Sequence, residues 1–410
     1  MIASLVVVAA VAAGWALAAG RLERWHVRAP LVMVLAGLAT GALTNNAIAN
    51  SLDSGAAQHV AEIILAILLF LDATAVPAGR LWGHQPRAAA RALLLAMPLS
   101  LLLTMVLGVV LLPDLAWAVL LVLACVIVPI DFAPAESLVR DRRIPARVRD
   151  VLNIEGGYND GIISPLFLFA LVLAGTTVDA DSALEALATA IPFAVKAIVV
   201  GLVLGALLGG LMNRAERHTW MTHQSRRIAV VVAPLLTYTV TVAIDGNGFV
   251  AAFVCGIAFR FVRQIGVRRR IAESTHAEDF ELIEDTTAML TIGMWFFFGI
   301  VAVFAFTTGL DWRVVLFALA ALTVLRVVPI LLAFLGSPFS WLERLLLGAF
   351  GPRGTTSIVF GLLAFNELPT GDIENTVLLA MSLTVLGSVL LHGVGSSVVL
   401  RKAKVEEPAR

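Results

Sequence analysis

The sequence predicts an all-α integral membrane protein of about thirteen transmembrane helices, built as inverted repeats with two broken helices crossing near the bilayer midplane. Three observations predict it. Of 410 residues, 60% are hydrophobic and only 14% charged, whereas soluble domains carry roughly a quarter charged residues. Mean hydropathy is +0.93, and apolar runs of about 20 residues, the length that spans a bilayer as a helix, recur along the chain. Two of those runs, one in each half, are interrupted by proline beside a charged residue, in "VPIDFAP" and "GPRG". Paired interruptions of this kind are the sequence mark of a transporter whose repeats are inverted.

The spans are centred roughly at residues 10, 37, 66, 101, 126, 163, 200, 235, 254, 297, 324, 355 and 386. Loop charge tests the count, because cytoplasmic loops accumulate Lys and Arg. Arg21, Arg24 and Arg28 follow span one, whereas "TNNAIANSLDSGAAQ" has no basic residue. Arg80, Arg87 and Arg91 come next, then the bare "LPDLA". The alternation continues through "RDRRIPARVR", the acidic "TTVDADSALE", Arg214, Arg217, Arg226 and Arg227, then "DGNG" and "RFVRQIGVRRR". Arg344 is its weakest member, and Arg401, Lys402 and Lys404 close it. The N-terminus is therefore expected outside and the C-terminus in the cytoplasm, in a plasma membrane of bacterial inner-membrane type. The short spans near 37 and 254 and the amphipathic "HAEDFELIEDTTAMLT" are where the count is weakest.

Other features exclude more than they assign. Formal net charge is zero, so neither nucleic acid nor a polybasic lipid anchor is indicated. Cys125 and Cys255 lie inside apolar runs and define neither a disulfide framework nor a metal site. No basic residue precedes the first apolar run, which argues against a cleaved signal peptide. Gly37 with Gly41, and Gly201, Gly205 and Gly209, form small-residue stripes that allow close helix packing. Packing within one subunit is the more frequent use, and a dimer seam the less frequent.

Intramembrane ionisable residues are costly and mark function by default. They are Asp72, Asp131, Glu155, Asp160, Lys196, Arg326 and Arg353. Lys196 and Glu62 sit near the outer ends of their spans and can reach water. Arg326, in "VLRVVP", has no evident partner and is read as a structural contact or an inner-side residue. For Asp72, near a cytoplasmic end, reaching water and lining a cavity compete evenly. Glu155 and Asp160, five residues apart in "NIEGGYND", diverge by roughly 140° on a helix and cannot share a partner. Glu155 shares a face with Asn159, and Asp160 one with Gly156. One acid is thus expected to be tied to a structural cation, for which mid-span Arg353 is the natural choice, and the other to face a pathway.

Span five supplies the second half of the site. Proline cannot donate to the carbonyl four residues back, so Pro129 frees the carbonyl of Cys125 and Pro134 that of Ile130. Pro352 repeats the device in span twelve. Irregular backbone survives in a membrane only when buried in protein or lining an aqueous cavity. Freed carbonyls with the carboxylates of Asp131 and Asp160 are oxygen ligands for a small hard cation.

The stretch "PIDFAPAESLVRDRRIPARVRDVLNIEGGYNDGIISPLF" resembles the monovalent cation–proton antiporter family, in its electroneutral sodium–proton exchanger-like branch. "LLFLDAT", "GNGFVAAFVCGIAF" and "GPRGTTSIVFGLLAF" extend the likeness over most of the chain. The resemblance implies exchange of Na⁺, or Li⁺ or K⁺, for H⁺ by alternating access, with no cofactor and no enzymatic activity. It implies a homodimer in membrane lipid, with core helices at 88–175 and 312–398 moving against scaffold helices at 1–80 and 184–308, and a cytoplasmic tail at 399–410. Asp160 resembles the carboxylate for which cation and proton compete, and Asn159 its amide neighbour. Glu155 and Arg353 resemble a pair tying span six to span twelve. Asp131 resembles the acid of the broken helix and Asp72 an acid at the core–scaffold boundary.

Two positions depart from the family pattern. Ile130 stands where Thr is usual, and Gly156 where Ser is usual, which removes two hydroxyls from the cation site. Ile130 still offers its backbone carbonyl, and the space beside Gly156 is expected to admit a water. A transport-inactive or sensory relative with the same fold is therefore the alternative reading. An uncoupled cation channel would pass current without proton counter-movement. An intramembrane aspartyl enzyme using Asp131 and Asp160 is disfavoured, because no Gly-x-Gly-Asp context accompanies them and "HExxH" does not occur.

Overall fold

The computed structural model describes residues 2–22, 27–44, 55–75, 84–132, 141, 143–175, 180–266 and 269–394, among which no β-strand occurs. Pro134 and the tail at 399–410 lie outside the described residues. The helices are α1 (Ile2–Leu22), α2 (Ala29–Leu43), α3 (Gly55–Ala75), α4 (Pro86–Leu111), α5 (Trp117–Ile127), α6 (Ala146–Gly175) and α7 (Ala180–Arg217). There follow α8 (His223–Ala243), α9 (Gly248–Gly266), α10 (Arg269–Thr307), α11 (Trp312–Ala333), α12 (Trp341–Ala349), α13 (Thr355–Glu367) and α14 (Asp372–Ser388). Every span centre expected from the sequence falls within one of them. Among the described residues, seven helices are long and apolar enough to cross a membrane, and α2 and α5 are shorter apolar helices. The amphipathic stretch before span ten is part of the single helix α10.

The chain forms two compact units: residues 1–58, 84–159 and 292–410 make one, and residues 59–83 and 160–291 the other. In the first, Gly37 and Gly41 of α2 lie against the backbone of Phe296, Gly299 and Ile300 on α10. Lipid offers no hydrophobic drive for helix pairing, so close backbone approach of this sort is what holds such helices. Ile144, just before α6, and Val148 and Leu152 in its first turns pack with Ile330 of α11, Phe334 at its C-cap and Leu347 of α12. Three arginines secure the α11–α12 turn. Arg91 donates to the carbonyls of Ala333 (3.2 Å) and Leu335 (2.8 Å), and Arg344 to those of Phe339 (2.9 Å) and Ser337 (3.0 Å). Arg147 grips Glu343 with two nitrogens, while Glu343 and Ser340 form a capping box at the start of α12.

In the second unit, the Gly201, Gly205 and Gly209 stripe of α7 faces the carbonyls of Ala251, Cys255 and Phe259 on α9 in step, so the two helices run parallel in close contact. The stripe thus serves packing inside the subunit. At one end of these helices Arg263 donates to Asn213, to both oxygens of Glu216 and to Asp279, all at 2.8 Å, and Arg226 pairs with Asp279 at 2.9 Å. A buried guanidinium with its donors placed this way is tolerable where an unpaired one would not be. Toward the other end, Lys196 donates to the Ile244 carbonyl at 2.8 Å, satisfying the C-terminus of α8. Glu62 accepts from the Tyr238 hydroxyl at 2.8 Å.

Candidate functional site

Helix α5 stops at Ile127, and residues 128–132 have no helical structure. Pro129 accounts for the break, since it cannot continue the hydrogen-bond ladder. Span twelve breaks in the same way, between α12 and α13, with Pro352 inside the non-helical stretch 351–354. The two breaks are joined directly: the Asp131 N–H donates to the Pro352 carbonyl at 2.8 Å.

The carboxylate of Asp131 crosses to the other broken helix. It accepts hydrogen bonds from the Thr355 N–H and hydroxyl, at the first residue of α13. The N-cap position there is Gly354, which has no side chain to cap with. A Cβ on Gly354 would stand 2.5 Å from Asp131 Oδ2, so the glycine is what admits the carboxylate. Asp131 therefore caps α13 from another segment, and its negative charge meets the positive end of the helix dipole.

Arg353 complements this at the opposite polarity. Its side chain donates to the carbonyls of Ile127, at the end of α5, and Gly351, just beyond α12. A cation at two helix C-termini is favourably placed. This corrects the expected Glu155–Arg353 ion pair. Glu155, 2% exposed, is gripped by Nη1 and Nη2 of Arg326, which is itself 4% exposed and also donates to the Leu347 carbonyl at 3.3 Å. Arg353 is engaged with backbone oxygens, whereas Arg326, without an evident partner in sequence, takes the bidentate geometry that suits a carboxylate.

Asn159 donates its amide N–H to the Ile130 carbonyl at 2.7 Å. The carbonyl expected as a free ligand therefore already carries one hydrogen bond, with a second lone pair left. Asn159 Oδ1 is buried without a hydrogen-bond partner among the described residues. Gly156 departs from expectation too. The Phe132 ring lies against it, so a Cβ there would be 3.0 Å from Phe132 Cδ2. The aromatic edge narrows the space expected to take a water, while Gly156 itself stays partly exposed.

Asp160 follows Asn159 on α6 and is 5% exposed. One turn further, Ser164 is fully buried, and its hydroxyl has no partner among the described residues. Asp72 lies half-buried near the end of α3 with an interaction of its own. Sequence reasoning missed Arg326 as the partner of Glu155, Thr355 as the donor to Asp131, Phe132 as the neighbour of Gly156, and Ser164.

The family model described as "Sodium/hydrogen exchanger, transmembrane" matches residues 6–402. The chain belongs to the sodium/hydrogen exchanger family. This is a family of transporters, not of enzymes. Among its relatives is a Na⁺/H⁺ antiporter of Schizosaccharomyces pombe, 23% identical over 379 residues, covering 85% of this chain and 78% of that one. Its fold is that of the sodium proton antiporter MjNhaP1 from Methanocaldococcus jannaschii. The pH 8 structure of that protein matches with a TM-score of 0.78 at 19% identity, over 99% of both chains. An electron-microscopy map of MjNhaP1 matches with a TM-score of 0.74 at 18% identity, over the whole of both chains.

Proposed function

We propose that this sodium/hydrogen exchanger family member exchanges a monovalent cation, Na⁺ first and Li⁺ or K⁺ as options, for H⁺ across a plasma membrane, with both ions competing at Asp160. The observation that carries the reading lies on α6. The same helix carries buried Asp160 and two buried oxygens, Asn159 Oδ1 and Ser164 Oγ, that lack hydrogen-bond partners among the described residues. Buried polar atoms are normally satisfied, and unsatisfied oxygens on a helix that also buries a carboxylate suit a dehydrated cation or its water. The Ile130 carbonyl contributes a further oxygen. Asp131 and Arg353 neutralise the helix ends at the crossing and hold it in register.

The cycle follows from charge. A site that moves only when its carboxylate is neutralised, by a cation or by a proton, exchanges one for one. Alternating access comes from the core, 88–175 and 312–398, shifting against the scaffold, 1–80 and 184–308. Asp72 serves at their boundary, and the protein works as a homodimer with its N-terminus outside and its C-terminus in the cytoplasm.

The test is proton flux in proteoliposomes of purified protein, driven in turn by Na⁺, Li⁺ and K⁺ gradients, with Asp160→Asn in parallel. Flux that depends on one cation and disappears in the variant supports exchange and names the ion. No flux with any of the three, in folded and inserted protein, turns the reading to a transport-inactive relative, for which the Phe132 ring edge against Gly156, where the family carries a hydroxyl, is the favouring observation. Equal flux in the variant removes Asp160 from the role.

A further inference from the structure

Helix α14 does not end as an α-helix. It continues as a π-turn, Val389–Val394, and such turns recur at functional sites because they re-aim the side chains within them. Here the turn carries His392, 3% exposed. Its Nε2 lies 3.0 Å from the Ala349 carbonyl, at the C-terminal residue of α12. A carbonyl only accepts, and of the two that the ring meets Ala349 is the nearer, which assigns the proton to Nε2 in the neutral ring. Nδ1 lies 3.3 Å from Ser388 Oγ and 3.3 Å from the Ser388 carbonyl. Ser388 Oγ in turn accepts from the Arg353 N–H at 2.6 Å, which leaves its hydroxyl proton for Nδ1.

The imidazole thus touches both sides of the break in span twelve: Ala349 before it directly, and Arg353 after it through Ser388. Between those points lies Pro352, whose carbonyl receives the Asp131 N–H, and just beyond lies Thr355, which donates to the Asp131 carboxylate. We propose that His392 is a positioning residue for the exchange site, fixing the broken segment of span twelve and through it the place of Asp131. The proposal rests on the exchange reading above.

The experiment compares wild type, His392→Leu, His392→Gln and Ser388→Ala in proteoliposomes. It measures the KM for the driving cation, the maximal rate, and the melting temperature of each purified sample. His392→Leu is expected to raise the cation KM about tenfold while the maximal rate falls less than about threefold, because a displaced site loses ligand geometry before it loses motion. The amide of His392→Gln can donate to Ala349 and is expected to recover most of that loss. Ser388→Ala is expected to give an intermediate shift, and it carries the test if His392→Leu does not fold. An unchanged KM in all three variants, with wild type exchanging, overturns the positioning role alone. A loss of melting temperature without a KM shift, unrelieved by glutamine, also overturns it and leaves a structural role. A wild type that exchanges none of the cations overturns the exchange reading itself, and this inference with it.

Discussion

Glu155 is bound by Arg326, not by Arg353: both guanidinium Nη atoms of Arg326 reach its two carboxylate oxygens, and neither residue is more than 4% exposed. Removing one partner of a buried pair strands the other charge, at a cost of about 3–5 kcal/mol in soluble analogues. Arg326→Leu is therefore expected to lower the melting temperature sharply, and adding Glu155→Gln to restore much of it by removing the stranded charge. In an Arg353→Leu background the same Glu155→Gln change should restore nothing. Rescue in the Arg353 background and none in the Arg326 background would mean the pairing is wrong.

The carboxylate of Asp131 acts as a helix cap supplied across two segments. Losing an N-cap costs about 0.5–2 kcal/mol, and asparagine caps about as well as aspartate. Asp131→Ala is expected to destabilise the protein by an amount in that range, and Asp131→Asn by less than half as much. Thermal melting in detergent measures both. If asparagine is as damaging as alanine, the cap is not what the residue contributes to stability.

These relationships divide what the sequence reveals from what it hides. The helices were legible because lipid-compatible hydropathy needs no tertiary information, and the breaks because Pro129 and Pro352 enforce them locally. The separate faces of Glu155 and Asp160 followed from the helical repeat alone. The identity of the Glu155 partner did not. Periodicity gives the face that a side chain occupies but not the helix opposite it, and Arg326 and Arg353 both lack an acidic neighbour in sequence. Thr355 was hidden because its acceptor lies 224 residues away. Phe132 was hidden because a glycine reads as empty space until a neighbour fills it.

Gly156 and Phe132 should behave as a coupled pair. Serine is a better helix former than glycine by a few tenths of a kcal/mol, yet its Cβ would stand 3.0 Å from the Phe132 ring. Gly156→Ser alone is expected to destabilise by about 1 kcal/mol, in line with mild overpacking. Combined with Phe132→Ala, which opens the space, the serine should become neutral or stabilising. Contacting residues couple by about 0.5–3 kcal/mol in a double-mutant cycle. A coupling near zero would show that the ring yields freely and does not define the wall beside Gly156. The double variant also returns a hydroxyl to the face of α6 shared with Asp160, so its relative flux with Na⁺, Li⁺ and K⁺ is expected to shift toward the smaller cations, whose higher charge density gains most from an added hard oxygen.

The α7–α9 contact makes a last prediction, in which two glycines of the same helix part company. A Cβ at Gly205 would lie 2.5 Å from the Cys255 carbonyl, whereas one at Gly210 would meet nothing nearer than Val262 Cγ1 at 3.9 Å. Backbone cannot yield as a flexible side chain can, so Gly205→Ala must push the helices apart. The cost is expected at about 1–3 kcal/mol, as for overpacked cores, despite the better helix propensity of alanine. Gly210→Ala pays no such cost and gains up to about 1 kcal/mol from that propensity. Melting curves of the two variants should therefore shift in opposite directions. If both rise, the helices are not in backbone contact along the stripe.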